Sequence, residues 1–120
     1  MSDPPHRKNI FITDENVDGP AIIIALAKSV VVIHDVDTDV PCDIDDYDQC
    51  LFQYAIEHNY VLVIGNNRDF EWQFYKYAET GKDHPGLVLI QSKHNRSSYL
   101  IAEWLELLSD VDVTNTIFRI

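Results

Sequence analysis

Short, wholly apolar runs alternate along this chain with longer segments in which apolar and polar residues are mixed. Such runs, rich in β-branched residues, are typical of strands that are buried on both faces of a sheet. We therefore predict strands at residues 10–13, 30–34, 60–64 and 87–90, with a short last strand within 111–120.

The mixed segments between these runs carry the signals of helices. Asp18-Gly19-Pro20 is typical of a helix start and predicts a helix over residues 21–28. Asp45 or Asp46 is expected to cap a second helix that runs to about His58. Two further helices are predicted over 69–79 and 97–108, and the acidic stretch 35–46 is predicted to be a loop.

Alternation of strands and helices favours an α/β fold with right-handed crossovers. We expect a three-layer α/β/α sandwich with a mainly parallel sheet of four to five strands. A length of 120 residues fits one domain, which we assign to residues 9–120. Residues 1–8 contain Pro4-Pro5 and are predicted to form a disordered lead-in.

Charge and composition narrow the function classes. The formal net charge of -11 opposes unspecific binding to nucleic acid, so a polyanionic substrate would require divalent cations or a local basic patch. No apolar run is long enough to span a membrane, and no apolar signal segment follows the first charges. The two cysteines, Cys42 and Cys50, are too few for a disulfide framework, so a reduced, cytoplasmic setting is expected.

Three aspartates fall at junctions between predicted strands and helices. Asp14 follows the first strand, Asp48 opens the second helix, and Asp69 follows the third strand. In a parallel sheet these junctions share one edge, where clustered carboxylates repel one another and favour a bound cation. Oxygen ligands indicate Mg²⁺ or Mn²⁺, and such ions activate water in phosphodiester hydrolysis. The alternative is that Asp48 and Asp69 serve only as helix caps.

A family resemblance rests on IFITDEN, DQCLFQYA and VLVIGNNRDF, followed by HPGLVLI, which together cover about residues 9–91. In order and spacing these stretches resemble a small PIN-like family of unknown function that is related to VapC-type toxin ribonucleases. The resemblance implies a PIN-like fold, metal-dependent cleavage of RNA, and membership of a toxin–antitoxin pair with an antitoxin protein as partner.

The resemblance also implies roles for individual residues. Asp14, Asp48 and Asp69 would be catalytic metal ligands, with Glu15 as a ligand or outer residue beside them. The third stretch departs from the family pattern, because Gly65 and Asn67 stand where the family has Thr and the first Asp. Asn67 keeps a carbonyl oxygen that can bind a metal but contributes no charge.

Basic and aromatic residues supply candidates for substrate binding. Lys93 and Arg96 follow the fourth strand, and Arg68 precedes Asp69, so these cations could contact RNA phosphates. A solvated loop around Lys93 is the alternative. The aromatic residues of the helix over 69–79 suit base stacking, the core or a dimer face, and together with the apolar first helix they predict a homodimer.

Two other functions stay open at this point. An acidic pair after the first strand, and Ser92-Lys93 after a late strand, also resemble a response-regulator receiver domain. That reading requires a phosphoacceptor aspartate at the tip of the third strand, where this chain has Ile64-Gly65-Asn66-Asn67. The third interpretation is a degenerate PIN-like module that binds RNA or protein without cleavage.

Overall fold

The computed structural model describes residues 9–13, 17, 22, 31–33, 47–65, 68–91 and 97–120. Within these residues, five strands form one sheet in which every neighbouring pair is parallel. The strands are β1 (Ile10–Thr13), β2 (Val31–Ile33), β3 (Val61–Gly65), β4 (Leu87–Ile90) and β5 (Ile117–Arg119). Their spatial order is β2-β1-β3-β4-β5, which is the flavodoxin-like order of doubly wound α/β proteins.

Three helices lie between these strands in the chain: α1 (Tyr47–His58), α2 (Arg68–Glu79) and α3 (Ser98–Leu108). The predicted α/β class, the parallel sheet and the predicted helices in these three segments are therefore confirmed. Of the helix predicted over 21–28, only Ile22 is described, and it is helical and buried. The lead-in 1–8 and the loop 35–46 lie outside the described residues.

Alternate residues of the strands point to two separate apolar clusters, as the period of a strand requires. On one face, Phe11, Val63 and Val88 pack in a cluster with Ile101 and Leu105 of α3. The opposite face has its own cluster, which combines Ile12, Leu62 and Leu89 of the sheet with Leu51 of α1 and Phe74 of α2. The sheet thus carries helices on both sides, as expected for a three-layer sandwich.

Helix α1 ends where an asparagine takes the left-handed backbone conformation. Asn59 has a φ of 58°, and the next residue, Tyr60, donates its N–H to the carbonyl oxygen of Ala55 at 2.9 Å. Asparagine tolerates this conformation better than most residues, and the bond satisfies a carbonyl that the helix end would leave unpaired. This termination releases the chain directly into β3.

A tight turn before β4 fixes the start of that strand. Gly86 has a φ of 114°, and a Cβ atom at this position would lie 2.6 Å from the carbonyl oxygen of Val113. Its N–H donates to Nδ1 of His84 at 3.1 Å, and its carbonyl oxygen accepts the N–H of Leu62. Both the conformation and the close approach require glycine.

The first described residue is tied to the end of α3. The side-chain Nδ2 of Asn9 donates to the carbonyl oxygens of Leu108 at 2.8 Å and Val111 at 2.7 Å. The backbone N–H of Asn9 donates to the carbonyl oxygen of Ser109. These bonds add donors to carbonyl groups at and just beyond the end of α3, where no further helical N–H follows. They also join β1 to α3 across almost the whole sequence.

Candidate functional site

The carboxyl ends of the strands define the edge at which the candidate site lies. Strand β1 pairs with β2 on one side and with β3 on the other, so the chain reverses its direction of winding at β1. Ligands of open α/β sheets bind at such a reversal, in the crevice beyond the strand ends. Here that edge is the one at which Thr13 ends β1 and Gly65 ends β3.

Two of the predicted acidic ligands begin helices that start at this edge. Asp48 is the second residue of α1 and Asp69 the second residue of α2, directly after Arg68. For these three residues the structure describes the backbone only. A carboxylate in the first turn interacts favourably with the helix dipole whether or not a metal is bound, so the capping alternative remains.

The other predicted site residues, Asp14, Glu15, Asn67, Lys93 and Arg96, lie outside the described residues. Asp14 and Glu15 directly follow β1 in the chain, and Asn67 directly precedes α2. Within the described part of the chain, no group of three or more His, Cys, Asp or Glu side chains could hold a metal ion.

Thr13, the last residue of β1, carries a feature that the sequence analysis missed. Its side chain is completely buried, and among the described residues its hydroxyl oxygen has no hydrogen-bond partner. A buried hydroxyl without a partner costs about 1–3 kcal/mol, so such a group commonly serves a water or a ligand. The signal was available in the sequence as a threonine between an apolar strand and an acidic pair.

A polar cluster near the same edge joins β5 to α2. Arg119, which pairs in register with Leu89, donates a hydrogen bond to the carboxylate of Glu71 and a second to the hydroxyl of Tyr75 at 3.3 Å. The hydrogen bond to Glu71 raises the pKa of the Arg119 guanidinium above its usual value. The contact between Arg119 and Glu71 was not predicted from the sequence, because the two residues are far apart in the chain.

The aromatic residues of α2 divide between the core and the surface. Phe74 is buried and contacts Phe52 edge to face, with ring centroids 4.9 Å apart. Trp72 and Tyr75 are exposed, Trp72 by 58%. The ammonium group of Lys76 lies over the ring of Trp72, 5.7 Å from the ring centroid. The core interpretation is therefore right for Phe74, and among the described aromatic side chains of α2 Trp72 and Tyr75 are the exposed ones that a partner or a base could contact.

No family model, no curated protein and no solved structure matches this chain. The resemblance to PIN-like proteins therefore remains a hypothesis that is carried by the three sequence stretches and their spacing.

Two observations concern the expected setting of the protein. Cys50 in α1 is disulfide-bonded, contrary to the expectation of reduced cysteines, and the only other cysteine, Cys42, lies outside the described residues. Among the described helices, none combines the length and the apolar character that crossing a membrane requires.

The opposite edge of the sheet holds a buried histidine that the sequence analysis did not single out. His84 accepts the N–H of Gly86 at Nδ1, and its ring packs edge to face against Phe74. Burial lowers the pKa of His84, although the nearby Asp83 carboxylate acts in the opposite direction. Because His84 lies before β4 and therefore at the amino ends of the strands, we assign it a structural role.

Proposed function

We propose that this protein is a metal-dependent endoribonuclease of PIN-like type that acts as the toxin of a toxin–antitoxin pair. The observation that carries the proposal is the strand order, with β1 between β2 and β3 in a parallel sheet. In this parallel sheet the end of β1 at Thr13 and the starts of α1 and α2 lie at the same edge. The sequence supplies acidic residues at each of these three places.

In the proposed site, Asp14, Asp48 and Asp69 would hold Mg²⁺ or Mn²⁺, with Glu15 and Asn67 beside them. Support comes from the chemistry of this donor set, which offers oxygen atoms only, as hard divalent cations prefer. The hydroxyl of Thr13, which has no hydrogen-bond partner among the described residues, adds a polar group at the same edge that a metal-bound water could satisfy. When bound, the ion would activate a water molecule for attack on phosphorus.

Substrate binding is assigned to cations around the crevice. Arg68, Lys93 and Arg96 would contact RNA phosphates, which compensates locally for the net charge of -11. We also propose a cytoplasmic location, although the disulfide bond of Cys50 is unusual in that compartment. We further propose a homodimer, for which the exposed Trp72 and Tyr75 offer a contact surface. Light scattering that gives a mass of only 13.8 kDa at high micromolar concentration would contradict the dimer.

A receiver-like signalling domain is the second candidate, because receiver domains share the strand order β2-β1-β3-β4-β5. Phosphorylation in such a domain requires an aspartate at the tip of β3. Here β3 is Val61–Gly65 and is followed by Asn66 and Asn67, so the acceptor carboxylate is missing from the sequence. Stable phosphorylation by acetyl phosphate would favour this candidate over the nuclease.

Cleavage of labelled single-stranded RNA tests the proposed activity. Asn67 occupies a position at which the PIN-like pattern has a carboxylate, and charge count is a main determinant of affinity for a hard cation. We expect weak activity with Mn²⁺ in the parent protein, higher activity in Asn67→Asp, and none in Asp14→Ala.

The three proteins are to be purified side by side, and their melting curves checked for intact folding. If Asn67→Asp is no more active than the parent and the parent is as inert as Asp14→Ala, the nuclease proposal is wrong. A non-catalytic PIN-like binding module then becomes the better account.

A further inference from the structure

Helix α3 carries a row of apolar residues, called the seam below, that is partly exposed to solvent. Leu100, Trp104 and Leu107 of α3 follow one another at spacings of four and three residues, the spacing with which one helix packs along another, and Val111 follows three residues after the helix end. Leu107 is 68% exposed and Val111, just beyond the helix end, is 46% exposed. Leu100 and Trp104 are partly buried.

The buried side of α3 explains why the seam is not used by the core. Ile101, Ala102, Leu105 and Leu108 already fill the cluster beneath the sheet. The seam lies beside these residues, and the ring of Trp104 rests against Phe118 of β5 at a centroid distance of 5.7 Å. The exposed Leu107 and Val111 and the partly exposed Trp104 lie within eight residues of one another, and exposed apolar side chains grouped in this way are typical of interaction sites.

Within residues 97–118, the charged side chains near the seam are all acidic. Glu103, Glu106 and Asp110 are exposed and lie along the flank of the seam. Residues 97–118 contain four carboxylates and no Lys, Arg or His. A partner that covers the seam must therefore present cations along the edges of its own apolar stripe.

A second copy of the chain fits this surface poorly. In a twofold symmetric dimer the same patch faces itself, so the acidic flank would meet another acidic flank. Like charges placed opposite one another disfavour such an interface. The proposed homodimer contact through Trp72 and Tyr75 lies on α2, which packs on the other face of the sheet.

We propose that the α3 seam is a docking surface for an amphipathic helix of another protein, with lysine or arginine flanking its apolar stripe. This inference does not depend on the proposed nuclease activity, because it rests on α3 and uses none of the candidate metal ligands.

Binding of synthetic helices to the full chain tests the proposal. The probe is a peptide of three heptads with leucine at the seam positions and lysine at the flanking positions. One control peptide keeps the lysines and replaces the leucines by serine, and another keeps the leucines and has glutamate at the flanks. Affinity is measured by calorimetry at low and at physiological ionic strength, since charge attraction weakens with salt.

We expect the leucine–lysine peptide to bind with one-to-one stoichiometry and both control peptides to bind at least about tenfold more weakly. Leu107→Ser should weaken binding by about tenfold or more, because it removes a large apolar side chain from the centre of the seam. Gln53→Ser, at an exposed position of α1 on the other face of the sheet, should bind as the parent does. The exposure of Leu107 predicts that Leu107→Ser keeps the parent melting temperature.

Three results would overturn the proposal. Absence of saturable binding would remove the docking surface altogether. Equal binding by the parent and Leu107→Ser would show unspecific charge attraction without a seam. Self-association of the parent that is abolished by Leu107→Ser would show that the surface joins copies of this chain instead.

Discussion

Replacement of Gly86 by alanine is expected to destabilise the fold through a defined steric conflict. The new Cβ would lie 2.6 Å from the carbonyl oxygen of Val113 and 2.8 Å from a methyl carbon of the same residue. Val113 cannot easily retreat, because it is buried and its carbonyl oxygen accepts the N–H of Thr116 at 3.0 Å. Gly86 is also held on both sides, by His84 and Leu62.

The magnitude follows from two separate costs. Overpacking of a tight site costs about 1–3 kcal/mol, and a side chain at this positive φ costs about 1–3 kcal/mol more. For a domain of 120 residues, 1 kcal/mol corresponds to about 4 °C in melting temperature. We therefore expect Gly86→Ala to lower the melting temperature by about 8 °C or more.

Gly81 provides the matched control. Its φ is 79°, but a Cβ there would meet nothing within 4 Å, so Gly81→Ala incurs the conformational cost alone. The difference between the two variants in thermal and urea unfolding contains the steric overlap, which we expect to be about 1–3 kcal/mol, together with the difference in conformational cost between the two φ angles. Equal destabilisation by Gly81→Ala and Gly86→Ala would refute the reasoning.

Two further predictions concern buried polar groups. His84 binds a proton below about pH 6.5 in the unfolded chain, whereas the buried ring of the folded protein resists protonation, so the free energy of unfolding should fall as the pH drops below that value. Urea midpoints measured against pH should fall less in His84→Gln than in the parent. Identical pH profiles of the two proteins would contradict this prediction. Thr13→Val should raise the free energy of unfolding, measured without metal, by about 1 kcal/mol, because it removes a buried hydroxyl that has no partner among the described residues. A clear loss of stability in urea would show that the hydroxyl has a partner.

Much of the fold was predictable because the strands are short, continuous apolar runs. The predicted bounds of β1 and β4 match the structure, and α2 begins one residue before the prediction. The order of the strands was not predictable, since it depends on pairings between residues distant in the sequence, such as Phe11 with Val61.

The side-chain environments were harder to predict than the elements. In α2 the spacing of four and three residues between Phe70, Phe74 and Tyr77 could have separated the buried Phe74 from the exposed Trp72, but the prediction treated the aromatic residues as one group. The ion pair of Glu71 with Arg119 joins elements that are distant in the chain and leaves no local signal. At the candidate site, the positions of Asp48 and Asp69 at the starts of α1 and α2 were predictable, because strand ends and helix starts alternate along the chain of a parallel sheet.

The most direct test of the proposed metal site is the melting temperature of the parent protein with and without Mn²⁺. A ligand that binds only the folded state at about 100 times its Kd stabilises it by about 2.7 kcal/mol, or about 11 °C here. Asp14→Asn should lose this increase, whereas Asp110→Asn, a matched charge change beyond the end of α3, should keep it. An unchanged melting temperature in the parent, or an equal rise in Asp14→Asn, would contradict the metal site.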